Sequence, residues 1–275
     1  MKPPVSYYGS KMTLADQIVR LLPAHQHYVE PYCGSLAVLL AKPPSKMETV
    51  NDLDGELVTF WRVLRDRPDD LARAAALTPH SRAEHQASYE PAVDELETAR
   101  RVWVRLTQGR SGSMRRTGWR HYVDPAGSSI SMPDYLEAYR DRMHPAAVRL
   151  AEVSLEARPA LDLIARYGRH PDVLLYVDPP YLRSTRSGTN YRHEMPGDAE
   201  HRELAEALRA ARAAVVLSGY PSPLYDEVYA GWHRIDLPTG TGQGEGWQAR
   251  TEVLWSNRPL GNAPTLFDLD HAGAA

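Results

Sequence analysis

The feature that most constrains this chain is the run Val173-Leu174-Leu175-Tyr176-Val177, which stops at Asp178-Pro179-Pro180-Tyr181. An apolar run of this length before a turn fits a strand buried on both faces, as in a parallel sheet covered by helices. The prolines end it, because proline has no N–H to offer a neighbouring strand. In an open α/β sheet, reacting groups collect at the carboxyl ends of such strands. An ordinary strand-ending turn would account for the prolines alone. The chemistry of the four residues points further. An ionised Asp178 only accepts hydrogen bonds, so together with a proline carbonyl it can take both hydrogens of an exocyclic amine. The nitrogen lone pair is then left aimed at an electrophile. Tyr181 offers a flat face for stacking, which suits a nucleobase flipped out of its duplex.

The flanking sequence alternates between strand and helix patterns. Thr13 to Leu22 places Leu14, Ile18, Leu21 and Leu22 on one helical face, and Pro23 follows. His27-Tyr28-Val29 and Glu48-Thr49-Val50 read as strands, and Leu36–Ala41 and Leu57–Leu64 as helices. After the central run come a helix over Ala199–Ala211, a strand over Ala214–Leu217, a short helix over Leu224–Tyr229 and a strand over Thr251–Trp255. The alternation predicts an α/β fold with a mostly parallel sheet. From Pro68 to about Ala147 the pattern changes to polar, Arg-, Glu- and Ala-rich sequence. Ala83–Arg105 reads as helical, and Gln108–Gly127 as Gly/Ser-studded loop or hairpin. The expected organisation is a discontinuous domain, residues 1–65 and 150–260, with an inserted, mostly helical subdomain at 66–149 and a flexible tail at 261–275.

Composition matters at two points. The net charge of −3 does not by itself indicate a polyanion partner. Its distribution does. Arg100 to Tyr122 holds seven arginines and no acid, and Leu182 to His193 is a second acid-free stretch with three. Arg110, Arg115, Arg116 and Arg120 in the first, and Arg183, Arg186, Tyr191 and Arg192 in the second, are the candidate DNA contacts. A solvated, arginine-biased surface is the competing explanation. The single cysteine, Cys33, excludes a disulfide framework and a cysteine-rich zinc site. It reads as a small buried side chain rather than a nucleophile. The histidines form no metal-ligand pattern, and no metal is expected. No apolar stretch is long enough to span a membrane, so a cytoplasmic protein is expected.

Three further segments look chemical. Glu30-Pro31-Tyr32-Cys33-Gly34 follows a strand and precedes a helix, and Gly34 permits close approach of a ligand to the backbone. Asp52, about 20 residues on, is placed like the acids that bond ribose hydroxyls in nucleotide-binding folds; Asp52 or Asp54 could equally cap a helix. Tyr7-Tyr8-Gly9-Ser10-Lys11 could line a site or simply pack a terminal loop.

In this order, these segments resemble the DNA adenine-N6 methyltransferases of the Asp-Pro-Pro-Tyr type with an N-terminal aromatic-Gly-Lys motif. The resemblance spans about residues 5–65 and 150–257. Ser218-Gly219-Tyr220 and Glu252-Val253-Leu254-Trp255 are similar to phrases in phage or prophage members. The resemblance implies a Rossmann-like methyltransferase sheet, S-adenosylmethionine as methyl donor and double-stranded DNA as substrate, with the insert recognising the target. It implies Tyr7, Tyr8 and Lys11 beside the donor, Glu30, Pro31, Tyr32 and Gly34 around its methionine end, and Asp52 on its ribose. Asp178 and Pro179 would hold the adenine amine, with Pro180 completing the motif and Tyr181 stacking. Two departures stand out. The cofactor turn reads Gly34-Ser35-Leu36 where relatives carry more glycine, and Pro159 stands where an acid toward the donor's adenine is expected. N4-cytosine or RNA amine methylation, or a DNA-binding relative without activity, are the alternative functions; Asp178 favours adenine. Leu266-Phe267 in the tail reads as a docking peptide for a sliding clamp or similar partner, or as a segment that packs on its own domain.

Overall fold

The computed structural model describes residues 1–124, 127, 130–185, 191–241 and 248–261. Arg186 and the Leu266-Phe267 pair lie outside these residues. Seven strands form one sheet: β1 (His27–Glu30), β2 (Met47–Asn51), β3 (Val153–Glu156), β4 (Val173–Val177), β5 (Ala214–Gly219), β6 (His233–Thr241) and β7 (Gln248–Ser256). Their order is β3-β2-β1-β4-β5-β7-β6. The contacts among β1 to β5 are parallel, and β7 runs antiparallel between β5 and β6. The α/β expectation therefore holds, with an antiparallel hairpin at one edge.

Helices cover both faces. Before the insert come α1 (Ala15–Leu21), α2 (Ala37–Ala41) and α3 (Gly55–Asp66). The insert adds α4 (Pro68–Leu77), α5 (Arg82–Ala87), α6 (Glu95–Gln108), α7 (Met132–Arg140) and α8 (Met143–Leu150). The opposite face carries α9 (Ala160–Tyr167), α10 (Asp198–Arg209) and α11 (Pro223–Val228). The two cores sort by strand parity, since successive side chains point to opposite faces. Leu174 and Tyr176 join the core under α1 to α3, whereas Val173, Leu175 and Val177 join that under α9 to α11. This double burial is why the run at β4 is unbrokenly apolar.

The helix expected over Ala83–Arg105 is two helices. The chain breaks after Ala87 and restarts at Asp94, whose carboxylate caps α6 by accepting from Glu97 N at 2.8 Å. Pro91, between them, cannot donate within a continuing helix. The Gln108–Gly127 segment begins as a hairpin-like turn: Arg110 N donates to Gly118 O and Arg120 N to Gln108 O. β3 and β6 were not read from the pattern. β6, His-Arg-Ile-Asp-Leu-Pro-Thr-Gly-Thr, lies at the sheet edge, where Pro238 is tolerated and alternation is weak.

The insert shares its core with the sheet. Trp103, Val102 and Leu106 of α6 belong to the same buried cluster as Phe60 and Trp61 of α3 and Tyr28 of β1. The insert and the sheet are therefore expected to unfold together. Trp103→Ala, at a fully buried position, is expected to cost about 3–5 kcal/mol and to shift one cooperative urea transition. A separate early transition in that variant would show the insert to be an independent unit.

Candidate active site

The order β3-β2-β1-β4-β5 reverses direction between β1 and β4. Crevices in open α/β sheets form outside the strand ends at such a point. Here the cleft is lined by the Tyr7–Lys11 segment, the turn after β1, the Asp52–Asp54 segment after β2, and Asp178 and Pro180 after β4.

Parity places the polar groups. Glu30 follows Tyr28 and Asp178 follows Tyr176 on the same sheet face, so both carboxyls reach the cleft from the α1–α3 side. Lys11, only 6% exposed, closes the arrangement. Its Nζ donates to both Asp178 oxygens at 2.7 Å and to Gly9 O at 2.9 Å. Burial works against the ammonium, but Asp178 and Glu252 outweigh it and hold Lys11 above the usual lysine range. Burial also raises Asp178, opposed by Lys11.

The turn after β1 is tight. Gly34 has φ +45° and Leu36 φ +57°, both left-handed. A Cβ on Gly34 would lie 3.0 Å from the Tyr7 ring, so glycine lets the ring and the turn meet. The departure at Leu36 thus has a structural consequence: a buried leucine occupies a conformation that strains an L-residue. Gly34 N donates to Asp52 Oδ2 at 3.1 Å, and Asp54 N to Asp52 Oδ1 at 3.0 Å. Asp54, not Asp52, is the helix cap, accepting from Glu56 N and Leu57 N. Burial pushes Asp52 up to about 6, against the lowering effect of those two N–H groups. Cys33 is buried and its thiol is raised well above the ordinary range by burial, which suits a packing role.

The remaining predicted residues divide. Tyr8 and Tyr32 line the cleft; Pro31 instead uses its carbonyl to accept from Asn51 Nδ2 at 2.9 Å. Pro179 is buried, and Pro180 is half-buried on the cleft wall. Tyr181 is buried too, and its hydroxyl contacts Asp178 Oδ1 at 3.1 Å and Glu252 Oε1. The Lys11 ammonium lies over its ring, 4.9 Å from the centroid. In this structure Tyr181 brings its hydroxyl to the site, and the ring is not part of the cleft lining. Tyr191 and Arg192, expected on DNA, turn inward to the cleft rim. Tyr191 packs edge-on against Tyr8, with ring centroids 5.4 Å apart. Arg192 pairs with Asp54 at 3.1 Å and Glu56 at 2.7 Å, because those carboxylates offer it a closer partner than solvent. Arg110, Arg115, Arg116 and Arg183 are exposed, and Arg116 also approaches Glu90 at 3.6 Å. Arg120 is half-buried over the Tyr135 ring. At the strand before α9, an acid does end β3. It is Glu156, paired with Arg158 at 2.9 Å, and Pro159 follows as the helix cap residue. Asp54, Tyr176 and Glu252 were missed as site residues. Tyr176 was legible by parity, two residues before Asp178.

The seven-stranded sheet, parallel except for one antiparallel edge hairpin, agrees with the α/β fold that the sequence resemblance implied. Residues 7–112 match the family model of the D12 class N6 adenine-specific DNA methyltransferases. The chain is 24% identical to the Type II methyltransferase M1.LlaDCHI of Lactococcus lactis subsp. cremoris, over 94% of this chain and 95% of that protein. It is also 24% identical to a DNA adenine methylase of Salmonella typhi, over 82% of this chain and 83% of the relative. A solved rRNA methyltransferase, aviRa of Streptomyces viridochromogenes, overlaps 98% of this chain and 90% of its own at 15% identity and a TM-score of 0.36.

The residues present fit S-adenosylmethionine. Glu30, Asp52, Asp54 and Asp178 line the cleft with hydrogen-bond acceptors, matching a ligand that carries ribose hydroxyls and an ammonium. Asp54 Oδ2 is buried there without a hydrogen-bond partner among the described residues. At Gly34, a side chain would crowd the cradle.

Glu30 accepts from Tyr28 Oη at 2.6 Å and Leu39 N at 2.9 Å, yet burial pushes its carboxyl up to about 8. A carboxyl raised on folding stabilises below its unfolded value, and that contribution is lost as pH rises through the folded value. The chain's urea midpoint should therefore fall between about pH 5 and pH 8. Glu30→Gln keeps an acceptor oxygen and should flatten this fall. Superimposable profiles of the two proteins would remove the assignment.

Proposed function

We propose that this protein is a DNA adenine-N6 methyltransferase that transfers a methyl group from S-adenosylmethionine to a flipped adenine in duplex DNA. The observation that carries the reading is Asp178, held by Lys11 at the mouth of the cleft between β1 and β4. When bound, S-adenosylmethionine supplies an electrophilic methyl group on a positively charged sulfur. The residues of this chain do the positioning. Asp52 accepts from ribose hydroxyls, and Gly34 admits the donor close to the backbone. Glu30, Tyr32, Tyr7 and Tyr8 line its methionine side.

Lys11 keeps Asp178 ionised and therefore acceptor-only. A carboxylate has about four lone-pair positions. Lys11 uses two and Tyr181 one, which leaves a position for an amine N–H. The Pro179 carbonyl takes the other hydrogen. The N6 lone pair then faces the methyl group, the N–C bond forms as the S–C bond breaks, and the nitrogen gives up a proton. No covalent enzyme intermediate is needed, so alignment of the two reactants supplies much of the rate.

The DNA would be held by residues 66–149 as the target-recognition region, through the turn that carries Arg110 and Arg115, with Arg183 beside the motif. Arginines there bond phosphates and guanine edges. No described helix is long and apolar enough to cross a membrane, and the reading places the protein in the cytoplasm, on DNA.

Sequencing of single DNA molecules from cells making the protein should reveal N6-methyladenine in one recurring context. Asp178→Ala should lower transfer at least about 100-fold, the order seen when one preorganised hydrogen-bonding group is removed. Methylcytosine without methyladenine would replace adenine by cytosine as the substrate. DNA affinity should fall steeply with salt. Arg110→Ala and Arg115→Ala should each reduce the slope of log affinity against log salt by about 1. Unchanged slopes would remove these side chains from the DNA face.

A further inference from the structure

Glu252 has no part in the steps above, yet it is only 3% exposed and lies directly behind the catalytic motif. β7 brings it there. Leu254 pairs with Ser218 of β5, and Glu252, two residues away, projects from the same sheet face. Its Oε1 accepts from Ser218 Oγ at 2.6 Å and contacts Tyr181 Oη. Tyr181 Oη in turn stands 3.1 Å from Asp178 Oδ1.

A phenol carries one proton. Between two ionised carboxylates it would satisfy one and set its lone pairs against the other. A single proton on Glu252 removes the conflict: Glu252 donates to Tyr181, Tyr181 donates to Asp178, and each contact joins a donor to an acceptor. Distance selects which carboxyl is neutral. Lys11 Nζ is 2.7 Å from Asp178 and 3.9 Å from Glu252, so attraction favours the anion at Asp178. With Glu252 neutral, the buried trio carries no net charge.

We propose that Glu252 is a positioning residue of the transfer site, a neutral acid that orders the Tyr181 hydroxyl toward Asp178 and so keeps Asp178 aimed, as an acceptor, at the substrate amine. This role rests on the functional reading above. An apolar side chain of similar size would fill the same space without a buried charge, so packing does not require an acid. The groups that face Glu252 are Lys11 from the N-terminal segment, Asp178 and Tyr181 after β4, Tyr176 on β4, Ser218 on β5 and Tyr225 on α11. Burial raises the carboxyl, Lys11 opposes the rise and Asp178 adds to it.

The test compares wild type, Glu252→Leu and Glu252→Gln for transfer of tritiated methyl from S-adenosylmethionine to unmethylated genomic DNA. Donor binding is followed by calorimetry and stability by thermal unfolding. Glu252→Leu should lower kcat roughly 10- to 100-fold, the scale of a small misplacement at a reacting centre, with donor affinity and Tm retained. Glu252→Gln, whose amide N–H still donates to Tyr181, should recover most of that loss. Wild-type kcat should fall on the alkaline side as Glu252 ionises, and the Gln variant should lack that limb. Full activity of Glu252→Leu, or a Gln variant as slow as the Leu variant, would overturn the role. Should the Leu variant not fold, an alkaline limb unchanged in the Gln variant would overturn it. Failure of the wild type to methylate DNA would overturn the functional reading, and this role with it; an active wild type beside an unimpaired Leu variant would sink the role alone.

Discussion

The Lys11–Asp178 ion pair is the contact on which the rest of the site depends. It joins a segment before the first helix to the end of the fourth strand, in surroundings where neither charge could stand alone. Removing one partner from such a pair leaves an uncompensated buried charge, at a typical cost of about 3–5 kcal/mol. The pair also fixes what surrounds it. Lys11 holds the Gly9 carbonyl, and Gly9 turns with φ +76° where a Cβ would come within 2.5 Å of Tyr191 Oη. That turn sets Tyr7 against Gly34 and Tyr8 against Tyr191. Ser10 and Ser35, their hydroxyls 2.7 Å apart, tie the same turn to the loop after β1. One electrostatic contact therefore brings together three parts of the chain that are remote in sequence.

The sheet supplies the platform, and its parity explains which residues meet. On β1, β4, β5 and β7 the residues facing the α1–α3 side belong to the hydrophobic core deep in the sheet, as at Tyr28, Tyr176, Val216 and Leu254. One step along each strand the same face becomes polar: Glu30, Asp178, Ser218 and Glu252. The apolar part holds the strands in register, so the polar part converges without needing contacts of its own to find that arrangement. Much of this was legible beforehand. The run before Asp178 announced a buried strand, and Glu30, Asp52 and Lys11 were named from their positions at strand or helix ends. Glu252 was not, because strand order cannot be read from period alone. Its place beside Tyr181 requires knowing that β7 inserts antiparallel next to β5.

Other misreadings have equally local causes. Helical composition continues across Ser88–Asp94, but Pro91 and the capping carboxylate of Asp94 outweigh it and divide the helix. Counting arginines marked two cationic segments without distinguishing side chains that face solvent from those that find carboxylates. Arg192 sits in an acid-free stretch of sequence, yet it folds onto Asp54 and Glu56 from a helix start more than a hundred residues earlier. Arg105, in the first segment, is likewise buried against Glu56 and the Ser88 carbonyl. Local charge is a property of the sequence; available charge is a property of the fold.

That distinction bears on how a near-neutral protein handles a polyanion. The acids surround the cleft, and the exposed arginines Arg110, Arg115 and Arg183 lie on the insert and beside the motif. Asp178 is balanced by Lys11 and Asp54 by Arg192, so a neutral base can enter the cleft without adding an uncompensated charge, whereas a phosphate would bring one. On the proposed reading, the DNA backbone is therefore better held outside the cleft, by the exposed arginines. On that reading a nucleobase rotated out of its duplex can approach Asp178 while its phosphates remain on the arginine side, so base flipping suits the charge distribution as well as the depth of the site.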